Sequence, residues 1–491
     1  MVHLDTPSSL TSADSHAHAH TLNRYAVIPV PRRLNAVEGA TGRGVTIAFL
    51  DSGFSRHPDL VDPVDRIVAF ESMSTGSASA EVVEPAPWQW HGTQTSVVCA
   101  GNGALSGGFY RGLACEASLA LFAAGQRGRI RDADIVRGLE RVLARREELG
   151  IRVLNLSLGG DIDERFEESP VDRLAESAVA AGIVVVVAAG NAGCTNRATP
   201  LPPANSPSVI TVGGFDDGNR VEGEGGLYCS SYGITVDGLL KPEIIAPAMW
   251  VAAPLLAGTE EYRRATALSL IEATPDALLP DLPWTVWRDA GLPARLRVDG
   301  TALRAAIADE LRRLRLVATH YQHVDGTSFA APIVSSVVAQ MLEVNPALTP
   351  ATIKNILIST ARRLPHSPVS RQGYGLLDAR AAVELARLER HALEPSQWRA
   401  PFCDGGAIVF TLHGDHLSRA ALAGDFNGWN PSQTPLARGD DGLWRVRVEG
   451  ITPGSYRYKF VVDDGVWLED PSNGRRDADG LGGFNSIVTV G

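Results

Sequence analysis

Three short segments bring together side chains able to do covalent chemistry. "AFLDSGF" ends an apolar run on Asp51, "WHGTQTSVVCAG" opens a helical pattern at His91 among small residues, and "VDGTSFAAPIV" sets Ser328 just after Gly326 and Thr327 at the start of another. A hydroxyl nucleophile needs a base within hydrogen-bond reach and an anion that holds that base in one tautomer. Ser328, His91 and Asp51 supply those parts, and the chemistry would be acyl transfer through a covalent ester. Taken singly, Asp-Ser-Gly is an ordinary turn, and Asp51 and Ser328 serve equally well as helix caps. Their joint occurrence is what points to catalysis.

The elements that would position them belong to an α/β pattern from about residue 25 to 390. Apolar, β-branched runs at Gly44–Asp51, Leu119–Gly125, Arg152–Leu158, Ile183–Asn191 and Val209–Phe215 alternate with helical stretches. In one of these helices, within 132–150, Ile135, Leu139 and Leu143 recur every fourth residue. This grammar predicts a mainly parallel sheet with a site at the carboxyl ends of its strands. Two further helices, near Thr349–Arg362 and Leu377–Arg390, close the region.

In the order Asp, His, Ser, the stretches "LDSGFSRHPDL", "HGTQTS" and "GTSFAAP" resemble the three active-site signatures of the subtilisin-like serine proteases, over roughly residues 25–390. The resemblance implies a serine endopeptidase with Asp51, His91 and Ser328 as its triad, acting on protein or peptide. It further assigns Asn191, in "AAGNAG", to the oxyanion site beside the Ser328 N–H, and Ser157, Leu158, Gly159, Gly160, Ala189 and Gly190 to the substrate-binding border. As a residue alone, Asn191 is a turn former. No cofactor is required by the family, which commonly carries structural calcium; no calcium ligands stand out here, and no metal site is assigned. A competing reading is a catalytically silent scaffold that uses the cleft only for binding, against which the intact Asp51, His91, Ser328 and Asn191 all count.

The bulk composition is that of a soluble globular protein of two or three domains: 491 residues, 44% hydrophobic and 21% charged. A net charge of -11 without a basic run argues against a nucleic-acid or anionic-membrane partner. The longest apolar stretch, Ile183–Ala189, is far short of the roughly 20 residues of a membrane span. No signal-peptide pattern opens the chain, and five widely spaced cysteines are no disulfide framework, though a Cys194–Cys229 bridge stays open. Both point to a cytoplasmic protein, with secretion by another route left open. The alternating His16, His18 and His20 could catch a metal ion, but with no Cys partner or carboxylate cluster beside them their segment, 1–24, is expected to be a disordered polar tail.

Two departures from the family pattern concern control. The N-terminal lead is short, and "YAVIPVPRR" reads either as an arm across the cleft or, by preference, as a simple lead-in. An insertion at about 255–320, just before the nucleophile, carries expected helices at Glu260–Glu272 and Thr301–Leu316, the second with Leu303, Ile307, Leu311 and Leu314 on one face. Its role as lid, partner surface or decoration stays open. The acidic "DIDERFEE" after Gly160 reads as a solvated loop before a selector of basic substrates, and Trp88 and Trp90 as cleft wall or packing.

Beyond a linker at about 391–402 the grammar changes to short alternating strands, predicting a small all-β, immunoglobulin-like sandwich over 403–491. Here "AGDFNGWNP", "YKFVVDDGVWLEDP" and "GLGGFNSIVTV" resemble the glycogen- and starch-binding modules of AMP-activated kinase β subunits and of branching and debranching enzymes. That resemblance implies an α-glucan partner, with Trp429, Lys459, Trp467, Leu481 and Asn485 at the sugar-contacting positions. A purely packing role for the same tryptophans is the alternative.

Overall fold

In a computed structural model, residues 27–73, 86–125, 129–195, 199–221, 225–293, 295–296, 300–390, 400–463 and 465–490 are described. The histidine-bearing tail and most of the 391–402 linker lie outside them.

Strands β1 (Thr46–Asp51), β2 (Ile67–Ser72), β3 (Ser118–Ala123), β4 (Ile151–Leu156), β5 (Val184–Ala188) and β6 (Ile210–Asp216) join Ile244–Pro247 in one sheet. Their spatial order is Ile244–Pro247, β6, β5, β4, β1, β3, β2, and all these neighbours are parallel. Every anticipated run is a strand; the two that were not anticipated, β2 and Ile244–Pro247, lie at opposite ends of that order. Alternation along β1 sends Ile47 and Phe49 to one face and Ala48 and Leu50 to the other. The first face packs on helices Trp90–Ala100, Thr327–Val344, Pro350–Thr360 and Ala379–Leu388, the second on Asp132–Leu149 and Pro170–Ala180. The Thr327–Val344 helix is long and apolar enough to cross a membrane, but it is the buried centre of this core.

Both β1 and β4 emerge where the strand order reverses, so their carboxyl ends open a crevice in which ligands of such sheets sit. A disulfide joins Cys194 to Cys229 beside that crevice, where Gly193 N–H donates to the Cys229 carbonyl at 3.0 Å. The one pairing the sequence had kept open is therefore made.

The insertion has its own core of Leu268, Ile271, Trp287, Leu303, Ile307 and Leu311. Its helices are Glu260–Ala273, Trp284–Ala290 and Gly300–Arg313, the last ending earlier than expected. Arg315 takes a left-handed φ of 53° and turns the chain, so Leu316 begins a strand rather than a final helical turn. An antiparallel ribbon, Val251–Pro254 with Tyr321–Val324, carries the insertion and leads straight into Ser328. The described end of the N-terminal arm is anchored through Arg33, which is fully buried in an ion pair with Asp217 at 2.7 Å and donates to the Trp250 carbonyl.

The C-terminal domain is two antiparallel sheets around Phe410, Leu412, Leu422, Tyr458 and Phe460. It is seated firmly on the first domain. Arg476 lies 4.2 Å from the Tyr374 ring centroid and donates to the Leu240 carbonyl, while Arg363 pairs with Glu469 at 2.7 Å.

Candidate functional site

Asp51 is the last residue of β1 and is almost wholly buried. A buried carboxylate must be hydrogen-bonded, and its partners are the Ser52 N–H at 2.6 Å, Thr95 Oγ1 at 3.2 Å and His91 Nδ1 at 2.7 Å. His91 stands in the first turn of the Trp90–Ala100 helix, and Thr95 follows four residues later on the same face. This helix sits directly on the Asp-Ser-Gly turn: a Cβ at Gly92 would lie 2.3 Å from the Gly53 carbonyl oxygen, so only glycine permits the approach. Burial lowers the His91 pKa, but the charge and hydrogen bond of Asp51 outweigh it and hold the imidazole above its ordinary value.

Ser328 is in the first turn of the Thr327–Val344 helix, whose N-cap Gly326 has a φ of 139°, a conformation L side chains rarely adopt. Pro332 has no N–H to give the carbonyl four residues before it, that of Ser328. Ser157 takes the place of the missing donor, its hydroxyl reaching the Ser328 carbonyl at 2.9 Å. Ser328 Oγ in turn rests 3.5 Å from the Ser157 carbonyl, and the His91 ring lies 6.1 Å from that of the neighbouring Phe329.

Asn191 follows β5 and is locked through its oxygen, which accepts from Thr327 N–H at 3.0 Å and Thr327 Oγ1 at 3.1 Å. That assignment leaves the amide nitrogen as the group with protons to offer. Ser157, Leu158, Gly159, Gly160, Ala189 and Gly190 all line one cavity of about 700 Å³ together with Asn191, Thr327 and Ser328. Asp161 and Asp163 also line it, so part of the acidic loop faces the cavity. Trp90 meets the His91 ring edge-on at 5.2 Å and stays 48% exposed, which makes it a cleft-side aromatic rather than a core one. Sequence reasoning missed the braces Ser157, Thr95 and Thr327; Pro332 four residues after Ser328 was the signal for the first.

A model of the "Subtilase family" matches residues 42–375. The chain belongs to the subtilase family. Its relatives include serine protease AprX of Bacillus subtilis strain 168, 31% identical over 351 residues, covering 70% of this chain and 67% of that protein. Subtilisin NAT of Bacillus subtilis subsp. natto is 29% identical, over 59% of this chain and 68% of the relative. Fervidolysin from Fervidobacterium pennivorans, a solved structure, aligns with 20% identity and a TM-score of 0.49, over 88% of this chain and 54% of its own. The subtilase domain is thus that of a subtilisin-like serine protease.

A second model, "Carbohydrate-binding module 48 (Isoamylase N-terminal domain)", matches residues 396–473. The 1,4-alpha-glucan branching enzyme GlgB of Corynebacterium jeikeium strain K411 is 34% identical over 89 residues, 18% of this chain and 12% of that enzyme. In this module Trp429 and Trp467 come together, ring centroids 6.1 Å apart and inclined by 35°. Trp467 is 45% exposed and Leu481 is 93% exposed. Tyr458 pairs with Ser486, so Lys459 and Asn485 stand at the next register step. Lys459 is already committed: its ammonium binds Asp479 at 2.6 Å, and Asp479 also accepts from the Leu481 and Gly483 N–H groups.

Proposed function

We propose that the chain is a serine endopeptidase that works through Asp51, His91, Ser328 and Asn191, and that its module tethers it to α-glucan such as glycogen or starch. A rotation about χ1 of Ser328 turns Oγ from the Ser157 carbonyl toward His91. His91 Nε2 takes its proton as Oγ bonds to the scissile carbonyl carbon, and Asp51 holds Nδ1–H. The oxyanion is met by the Asn191 amide and the Ser328 N–H. Collapse breaks the C–N bond, the imidazolium protonates the leaving amine, and water attacks the ester with His91 again as base. An extended peptide pairing with 157–160 supplies main-chain affinity, its side chain entering the cavity.

The observation that carries the catalytic reading is the three-point hold on Asp51, which fixes one tautomer of His91 within a cleft that also contains Ser328. A fluorophosphonate probe should label the native protein once and leave Ser328→Ala unlabelled; equal labelling of the two would remove Ser328 from the nucleophile's role. The glucan reading is supported by the paired tryptophans, Trp429 half-buried and Trp467 exposed, flat faces of the kind that apolar C–H surfaces of sugar rings pack on. Lys459 contributes less than the resemblance implies unless sugar hydroxyls displace Asp479.

A further inference from the structure

Where the two domains meet, three side chains from separate elements converge. Glu389 caps the C-terminus of helix Ala379–Leu388, His413 ends strand Ala407–His413 of the module, and Asp415 follows two residues later. One ligand atom from each lies within 4.8 Å of the others. The side chains of His413 and Glu389 are 2% exposed, and that of Asp415 8%.

We propose that Glu389, His413 and Asp415 bind a divalent cation of the zinc class that fastens the β-module to the subtilase domain. Two carboxylates buried against each other repel unless a proton or a cation lies between them. Arg438 neutralises part of this charge by bonding Asp415 Oδ1 at 3.1 Å, and the Arg390 N–H donates to Oδ2 at 3.0 Å. Glu389 Oε1 has no such donor among the described residues: it is a buried acceptor without a hydrogen-bond partner there, 3.7 Å from His413 Nε2.

The donor set selects the ion. An imidazole nitrogen with two carboxylates suits zinc and its first-row neighbours, whereas calcium takes six to eight oxygens. Two zinc bonds of about 2.1 Å at the tetrahedral angle put ligands about 3.4 Å apart, so the Glu389–His413 pair at 3.7 Å is almost at that spacing, a small closure of the three groups suffices and water completes the shell. The outer shell is present too. Asn355 contacts His413 Nδ1 at 3.3 Å, and with its amide turned, its oxygen accepts Nδ1–H and leaves Nε2 for the ion. The last carbonyls of the Ala379–Leu388 helix add negative potential at the same place.

The test uses the full chain, stripped with a chelator, dialysed and titrated with zinc chloride by calorimetry, with zinc content measured after gel filtration. The native protein, Glu389→Gln, His413→Gln and a His16→Ala, His18→Ala, His20→Ala variant are compared, the last to remove the histidine-rich tail. We expect one zinc per chain, kept by the tail variant. Loss of a ligand should weaken binding at least about 100-fold, beyond what outer-shell changes cost. Zinc should raise the unfolding temperature of the native chain and not of Glu389→Gln, whose neutral amide mimics the protonated acid and so leaves the metal-free fold intact. Zinc uptake unchanged in Glu389→Gln, uptake lost with the tail histidines, or no stoichiometric uptake by the native chain would each overturn the proposal; the last two leave a shared proton as the bridge.

Discussion

The Asp51–His91–Ser328 cleft and the Trp429–Trp467 face of the module hold their side chains in opposite ways. In the cleft each group is braced by another segment: Asp51 by Thr95, Asn191 by Thr327, the Ser328 carbonyl by Ser157. On the module, Trp429 is held through its indole N–H by Asp425, four residues earlier, with a left-handed φ of 61°, while Trp467 and Leu481 project outward. A braced cleft is preorganised, so removing one part disables the whole. A locally built face can lose a side chain without disturbing anything behind it.

The sharpest way to break this contrast is at Asn191. Asn191→Ala should lower kcat roughly 10² to 10³-fold with KM little changed, the scale of one lost oxyanion donor in subtilisin. Asn191→Asp, which keeps an oxygen for Thr327 but offers no donor, should lose as much; recovery in that variant would make Asn191 a brace only. The module predicts the reverse pattern. Trp429→Ala combined with Trp467→Ala should abolish retardation of the full chain by amylose, yet change hydrolysis of a soluble peptide by less than about twofold, because distant sites couple weakly. A comparable loss of peptide hydrolysis would show that the two regions are not independent.

The smallest effect concerns pH. Catalysis needs neutral His91, and Asp51 holds its pKa above the ordinary 6.5 in spite of burial. Activity is therefore present above that pKa and lost as pH falls through it. The acid limb of kcat/KM, which reports the free enzyme, should have its midpoint above 6.5; a midpoint below would mean that burial outweighs the carboxylate.

Much of this was legible in the chain because it is local. Apolar runs end where reactive residues begin, and "HGTQTS" and "GTSFAAP" place small residues where helices must approach a turn or another strand. The strands missed are the outermost of the main sheet order: β2 is only partly buried, so its pattern is weak, and Ile244–Pro247, though fully buried, is four residues long and ends on a proline, which reads against a strand. The Gly300–Arg313 helix ends early because a backbone turn at Arg315 overrides the apolar period.

By itself, then, the sequence determined the α/β order, the identity of the reactive groups and the change to an all-β module, since periodicity and turn chemistry act over a few residues. Tertiary structure decided which group braces which. Ser157 on the Ser328 carbonyl, Thr327 on Asn191, Lys459 held by Asp479, and Glu389 facing His413 across the domain boundary are pairings between segments distant in the chain or remote from any motif. Such pairings follow from how buried polar groups find partners once the elements have packed, and no local pattern encodes them.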